Sequence, residues 1–154
     1  NVEELILGEA TWAATRSVLA GIAVLLIAFL FGLIHSPWAL LALPIAFLTG
    51  LVFSALALML VSVAPSIGTL NNFFTVFITP MFFFSGIFFP LDRFPGLIEM
   101  VAWTFPLTYA AHVSRGLTLG ELNVTMIYST LALVSYTVVT LYLAVRLMRR
   151  RLIR

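Results

Sequence analysis

The residues of this chain able to carry chemistry fall into small groups set apart from its long apolar runs. Five of its eight arginines, Arg146, Arg149, Arg150, Arg151 and Arg154, close the sequence. Directly after an apolar run, such a cluster reads as a membrane anchor that contacts lipid headgroups and marks the cytoplasmic side, not as a nucleic-acid surface. Asp92, Arg93, Glu99, Arg115 and Glu121 form a second group, read as pairing among themselves in preference to contacting a polar substrate. His35, beside Trp38, and His112 stand alone, and neither has the spacing of a metal site. Cysteine is absent, which excludes disulfides, thiolate metal sites and cysteine nucleophiles. No HExxH, Gly-x-Ser-x-Gly or glycine-rich phosphate loop occurs, so no catalytic residue, metal or cofactor is expected, and ATP is not bound by that route.

Aromatic residues make the third group, with Phe82, Phe83, Phe84, Phe88, Trp103 and Tyr109 in the richest stretch. Two readings stay open for them. They are lipid-facing bulk and an interfacial belt, or they line a conduit, since aromatic faces slide against sugar rings and acyl chains without strong fixed hydrogen bonds.

The elements that must position these groups are membrane helices. With 62% hydrophobic and 9% charged residues over 154 positions, the exterior must face lipid, and the runs are too long for barrel strands. Four spans are expected, at residues 13–34, 40–64, 73–89 and 126–147. Fixing the arginine tail inside puts both ends in the cytoplasm, with residues 35–38 and 90–125 outside and 65–72 inside. Residues 94–109 stay apolar but carry Pro95, Gly96, Glu99 and Pro106, so this stretch is expected to be interfacial or re-entrant and not to cross. Pro44 and Pro80 predict kinks. The rows Ala13, Ser17, Gly21 and Ala46, Gly50, Ser54 are candidate helix seams. The spacing of Gly116 and Gly120 reads as part of a polar turn, and Asn123, Val124 and Thr125 are a weak glycosylation match.

The span centres hold no ionisable residue, which argues against proton-coupled carriers, voltage sensors and intramembrane metalloenzymes. The first residues, NVEELILGEA, are acidic with no basic region, so they do not read as a signal peptide; the chain is expected to begin inside a longer protein.

The segment FFFSGIFFPLDRFPGLIEMVAWTFPLTYAAHVSRGLTLGEL resembles the signature region of ABC-2 type transporter permeases. The blocks LGEATWAATRSVLAG, LPIAFLTGLVFSALALMLVSVAPS, FITPMFFFSGIFFPLDRFP and RLMRRRLIR are similar to the lipo-oligosaccharide exporter subgroup of the nodulation protein J type. The resemblance implies an all-α integral membrane fold. It would be the C-terminal part of a six-helix permease, with four transmembrane helices and a short re-entrant helical pair on the outer side at residues 92–118. It further implies a bacterial or archaeal cytoplasmic membrane, a separate ABC ATPase subunit, a second permease copy and surrounding membrane lipid as partners. Residues 1–16 match the region that docks on the ATPase, which makes Glu3, Glu4 and Glu9 the coupling residues. The implied function is export of a lipid-linked or oligosaccharide-like substrate or a drug. The alternative is a non-transporting membrane scaffold of a cell-envelope complex that uses the small-residue seams for partners.

Overall fold

A computed structural model describes residues 1–153. Every regular element among them is helical, and four helices are long and apolar enough to cross a membrane. The first, α1 (Val2–Leu30), is unbroken over 29 residues. It ends earlier than its hydropathy suggests because Gly32 takes a left-handed conformation (φ 69°). The N–H of Leu33 donates to the Ala28 carbonyl and that of Gly32 to the Phe29 carbonyl, which closes the helix in a Schellman motif.

A short 3-10 turn, Pro37–Leu41, is capped by the Ser36 hydroxyl and runs directly into α2 (Ala42–Val63). Pro44 falls in the first turn of α2, where a missing N–H costs nothing, so it does not interrupt the middle of the span. The third crossing begins at α3 (Ile67–Phe73), before the start expected from hydropathy, because the Ser66 hydroxyl accepts the N–H of Thr69 and starts a helix there. It continues through a π-helical turn, Phe74–Ile78, into α4 (Thr79–Phe84). The widened turn lies over the stretch where the ring of Pro80 would meet the carbonyl of Val76, and it is the local distortion this proline was expected to produce. Gly86, at φ 81°, follows the end of this helix.

After a second 3-10 turn, Leu91–Arg93, come α5 (Gly96–Ala102), α6 (Pro106–Leu119) and α7 (Val124–Leu152). Helix α7 starts at Asn123, whose side chain accepts the N–H of Val124, and α6 ends at Gly120, with φ 79°.

Helix α1 packs chiefly on α2, and α2 on α7. Two clusters form the core, and α2 and α7 contribute to both. Ile45 and Val52 of α2 meet Ala110, Val113 and Leu117 of α6 and Met126 and Leu133 of α7. Towards the other end, Ile6 of α1, Ala55 and Ala144 close against one another. The chain termini share that second end, as an even number of crossings requires. The third crossing stands apart and meets the other helices chiefly through α4, which touches α5 and α6.

The two small-residue rows do meet. A Cβ built on Gly50 would lie 2.7 Å from the Cα of Ala14 and 2.8 Å from the Cβ of Ser17, and one on Gly21 would lie 3.4 Å from the Cβ of Ala46. Where lipid offers no hydrophobic drive between helices, such close backbone approach is what holds them together.

Candidate functional site

Two regions gather the residues singled out from sequence. At the terminal end, Glu3 on α1 lies 3.5 Å from Arg149 on α7. Arg151 donates to the carbonyl of Val61 and, at 3.5 Å, to that of Ala64, covering the C-terminal carbonyls of α2. Arg146 and Arg150 are exposed on α7, and Arg154 lies outside the described residues. The three acidic residues do not form one surface. Glu3, Glu4 and Glu9 are all exposed, but 100° per residue carries Glu9 roughly 120° around the helix from Glu3. No break separates residues 1–16 from the rest of α1, which at 29 residues is about 43 Å long against about 30 Å of hydrocarbon.

At the other end, α5 and α6 meet at a turn over Trp103–Phe105 and form a hairpin whose α6 arm packs along α7. Its register is read from three contacts. Gly116 sits so close to Met126 that a Cβ would lie 2.8 Å from the sulfur. The His112 ring nitrogen Nδ1 is 3.2 Å from the Ser129 hydroxyl. The Tyr136 hydroxyl donates to the carbonyl of Thr104 at the hairpin's tip. Tyr136 is twelve residues beyond the first residue of α7, so the tip reaches about 18 Å along that helix, near mid-span.

Irregular backbone at such depth must be satisfied by protein, and it is. The N–H groups of Trp103, Thr104 and Phe105 donate to the carbonyls of Glu99, Val101 and Ala102. Fully buried Thr108 donates from its hydroxyl to the Ala102 carbonyl at 2.5 Å. Gly116, read from sequence as part of a polar turn, is inside α6 and makes its tight contact with α7 instead.

The predicted aromatics separate into two groups. Phe83 and Phe88 (5.7 Å between ring centroids) and Phe84 and Phe94 (5.8 Å) cluster around the end of α4, where Phe83, Phe84, Phe89 and Phe94 line an apolar cleft of about 370 Å³. Trp103 packs on Tyr109 at 5.4 Å and on His112 at 5.5 Å, and Tyr109 lies 6.1 Å from Tyr136, inside the hairpin–α7 contact. Phe82 is exposed and belongs to neither set of ring contacts.

The group of charges at residues 92–121 does not pair internally. Among the described residues none of them joins an ion pair, and Arg115 instead donates to the carbonyls of Gly86 (2.6 Å) and Ile87 (3.4 Å). The turn after α4 leaves carbonyls without partners, and a guanidinium satisfies several at once. The sequence offered no sign of this tie, because its partners are backbone atoms 28 and 29 residues away.

Four helices long and apolar enough to cross a membrane, with a short helical hairpin before the last, define a multi-pass membrane protein. The chain belongs to the ABC-2 type transporter family, which matches residues 1–119. It is 38% identical over 154 residues to nodulation protein J of Rhizobium meliloti (strain 1021), covering 99% of this chain and 58% of that protein. It is also 36% identical to nodulation protein J of Rhizobium leguminosarum bv. trifolii, with 98% and 58% covered, and 33% identical to that of Sinorhizobium fredii, with 97% and 57% covered. The chain thus spans about 58% of the length of the curated relatives it matches. No solved structure matches.

Proposed function

We propose that this chain is the membrane-spanning part of an ATP-driven exporter, paired with a separate ATPase subunit and a second permease copy in the cytoplasmic membrane of a bacterium or archaeon. The match of residues 1–119 to the ABC-2 type transporter family carries this reading. Both ends of the chain face the cytoplasm in it, and the arginine tail beside the N-terminal turn of α1 supports that orientation. The substrate class, a lipid-linked or oligosaccharide-like molecule or a drug, rests on the resemblance of the quoted blocks to the lipo-oligosaccharide exporters.

ATP-driven closure of the ATPases biases the permease between inward and outward openings, so the permease is a bistable conduit and not a catalyst. Glu3, Glu4 and Glu9 engage the ATPase in this reading. Glu4 and Glu9 make no ion pair with another side chain among the described residues, while Glu3 shares its carboxylate with Arg149. The ring groups around Phe83, Phe84 and Phe88 and around Trp103 and Tyr109 are separate candidate contacts for cargo, with exposed Phe82 beside the first.

The test is purification of the full-length protein from mild detergent with mass spectrometry of its companions. A stoichiometric ATPase whose hydrolysis is uncoupled from transport by E3K/E4K/E9K is expected. Its reproducible absence would favour the non-transporting scaffold.

A further inference from the structure

Two of the tail arginines are engaged within the molecule and two are not. Arg149 pairs with Glu3, and Arg151 covers the carbonyls that end α2. Arg146 and Arg150 have no hydrogen-bond or ion-pair partner among the described residues. They sit four residues apart on α7, on one face and about 6 Å from each other.

With Ser62, Val63, Leu147, Ile153, Arg151 and the Glu3-paired Arg149 they line a cleft of about 890 Å³ between the ends of α2 and α7. No carboxylate lines it, whereas the cleft of about 600 Å³ that Arg146 and Arg149 share with α1 contains Glu3. The first cleft is therefore the one whose charge calls for an anion.

Its depth selects the kind of anion. Crossing about 30 Å of hydrocarbon takes about 20 helical residues. Counted from Val124, that brings α7 to the hydrocarbon boundary just before Arg146, and Arg150 lies about 6 Å beyond Arg146, at the level of the lipid phosphates. Val63, Leu147 and Ile153 supply an apolar wall.

We infer that this cleft binds the phosphate of an anionic phospholipid from the adjoining leaflet, held between the guanidinium groups of Arg146 and Arg150. Its glycerol and first methylenes lie against Val63, Leu147 and Ile153. Planar guanidinium forks match phosphate oxygens two at a time, so a pair of them one turn apart fixes the headgroup and does more than attract it. The sequence reading assigned all five arginines one shared anchoring role; the structure divides that role.

The experiment uses the full-length protein in its membrane complex, reconstituted in nanodiscs of phosphatidylcholine containing a minority of phosphatidylglycerol. Native mass spectrometry reads the lipid that survives activation. Phosphatidylglycerol is expected to be retained over phosphatidylcholine, and R146Q/R150Q is expected to lower its relative retention about thirtyfold, the size expected of two basic residues at an anionic surface. Photo-crosslinking of the unsubstituted protein with a phosphatidylglycerol analogue needs no variant and should label peptides containing Ser62 or Leu147. Equal retention of the two lipids, labelling elsewhere, or occupancy by inorganic phosphate without lipid would each overturn the assignment.

Discussion

The hydroxyl of Ser17 on α1 donates to the backbone carbonyl of Ala46 on α2, 2.9 Å away. Two long helices are thereby joined by a side chain short enough to let their backbones almost touch. The same contact explains why Gly50 carries no side chain, because Ala14 and Ser17 occupy the space a Cβ would need. The seam depends on what each residue lacks as much as on what it provides.

Gly50→Ala should therefore lower stability by about 1–3 kcal/mol, because its Cβ meets backbone, which cannot yield as a side chain can. Gly8→Ala on α1 meets nothing within 4 Å and should be neutral or stabilising by up to about 1 kcal/mol through helix propensity. Thermal unfolding in detergent separates the two, and equal melting temperatures would show that the seam does not hold α1 to α2.

Tyr136→Phe removes the donor that α7 gives to the carbonyl of Thr104. Hydrogen bonds between membrane helices average about 0.6 kcal/mol, with a maximum near 1.7, so global stability should fall only slightly. Hydrogen exchange should quicken at residues 103–108 and stay unchanged in α2. Uniform exchange across both regions would mean that the hairpin tip is held by packing alone.

Arg115→Met should free the end of the third crossing, since Gly86 and Ile87 lose their partner. Spin labels placed on α4 and on α7 should report a broader distance distribution, and Arg115→Lys should restore it only partly, because one ammonium reaches fewer carbonyls than a planar fork. An unchanged distribution would assign the tie to the aromatic contacts around Phe84.

Glu3 and Arg149 are both more than half exposed, so their ion pair should contribute only about 0–1 kcal/mol. Exchanging the charges, E3R with R149E, should leave the melting temperature within a degree or two of the parent. Any loss of coupling to ATP hydrolysis in that double variant would then belong to the proposed ATPase contact and not to folding.

The existence of the spans was legible because length and hydropathy are local properties, and a bilayer imposes them on each helix separately. Their ends were less so. Gly32 looked like an ordinary small residue within an apolar run, and only its left-handed conformation stops α1 at Leu30. Ser66 lies just past the second span expected from hydropathy, yet its hydroxyl caps the start of the third.

A pair of short helices at this place was foreseeable from Pro95, Gly96 and Pro106 in a segment too short to cross. Its depth was not, because that is fixed by Tyr136 and Thr108, whose partners are backbone carbonyls. The seam rows Ala13–Ser17–Gly21 and Ala46–Gly50–Ser54 could be found separately, but nothing in a sequence says which row faces which. The charges near the hairpin misled for a related reason, since Arg115 satisfied carbonyls that no residue type advertises.

Because α1 is continuous from Val2 to Leu30, it is mechanically a rigid lever. Rotating a rod of about 43 Å by about 5° around one end moves the other by about 4 Å, which is as large as the gap that separates a tight helical contact from an open one. The far end of this lever is not free: the N–H of His35, just past the Gly32 turn, donates to the carbonyl of Thr118 at the end of α6. The two ends of this rod are thus each tied to a different helix: Glu3 to Arg149 of α7 at one, and the turn beyond Gly32 to α6, which carries His112 and Arg115, at the other.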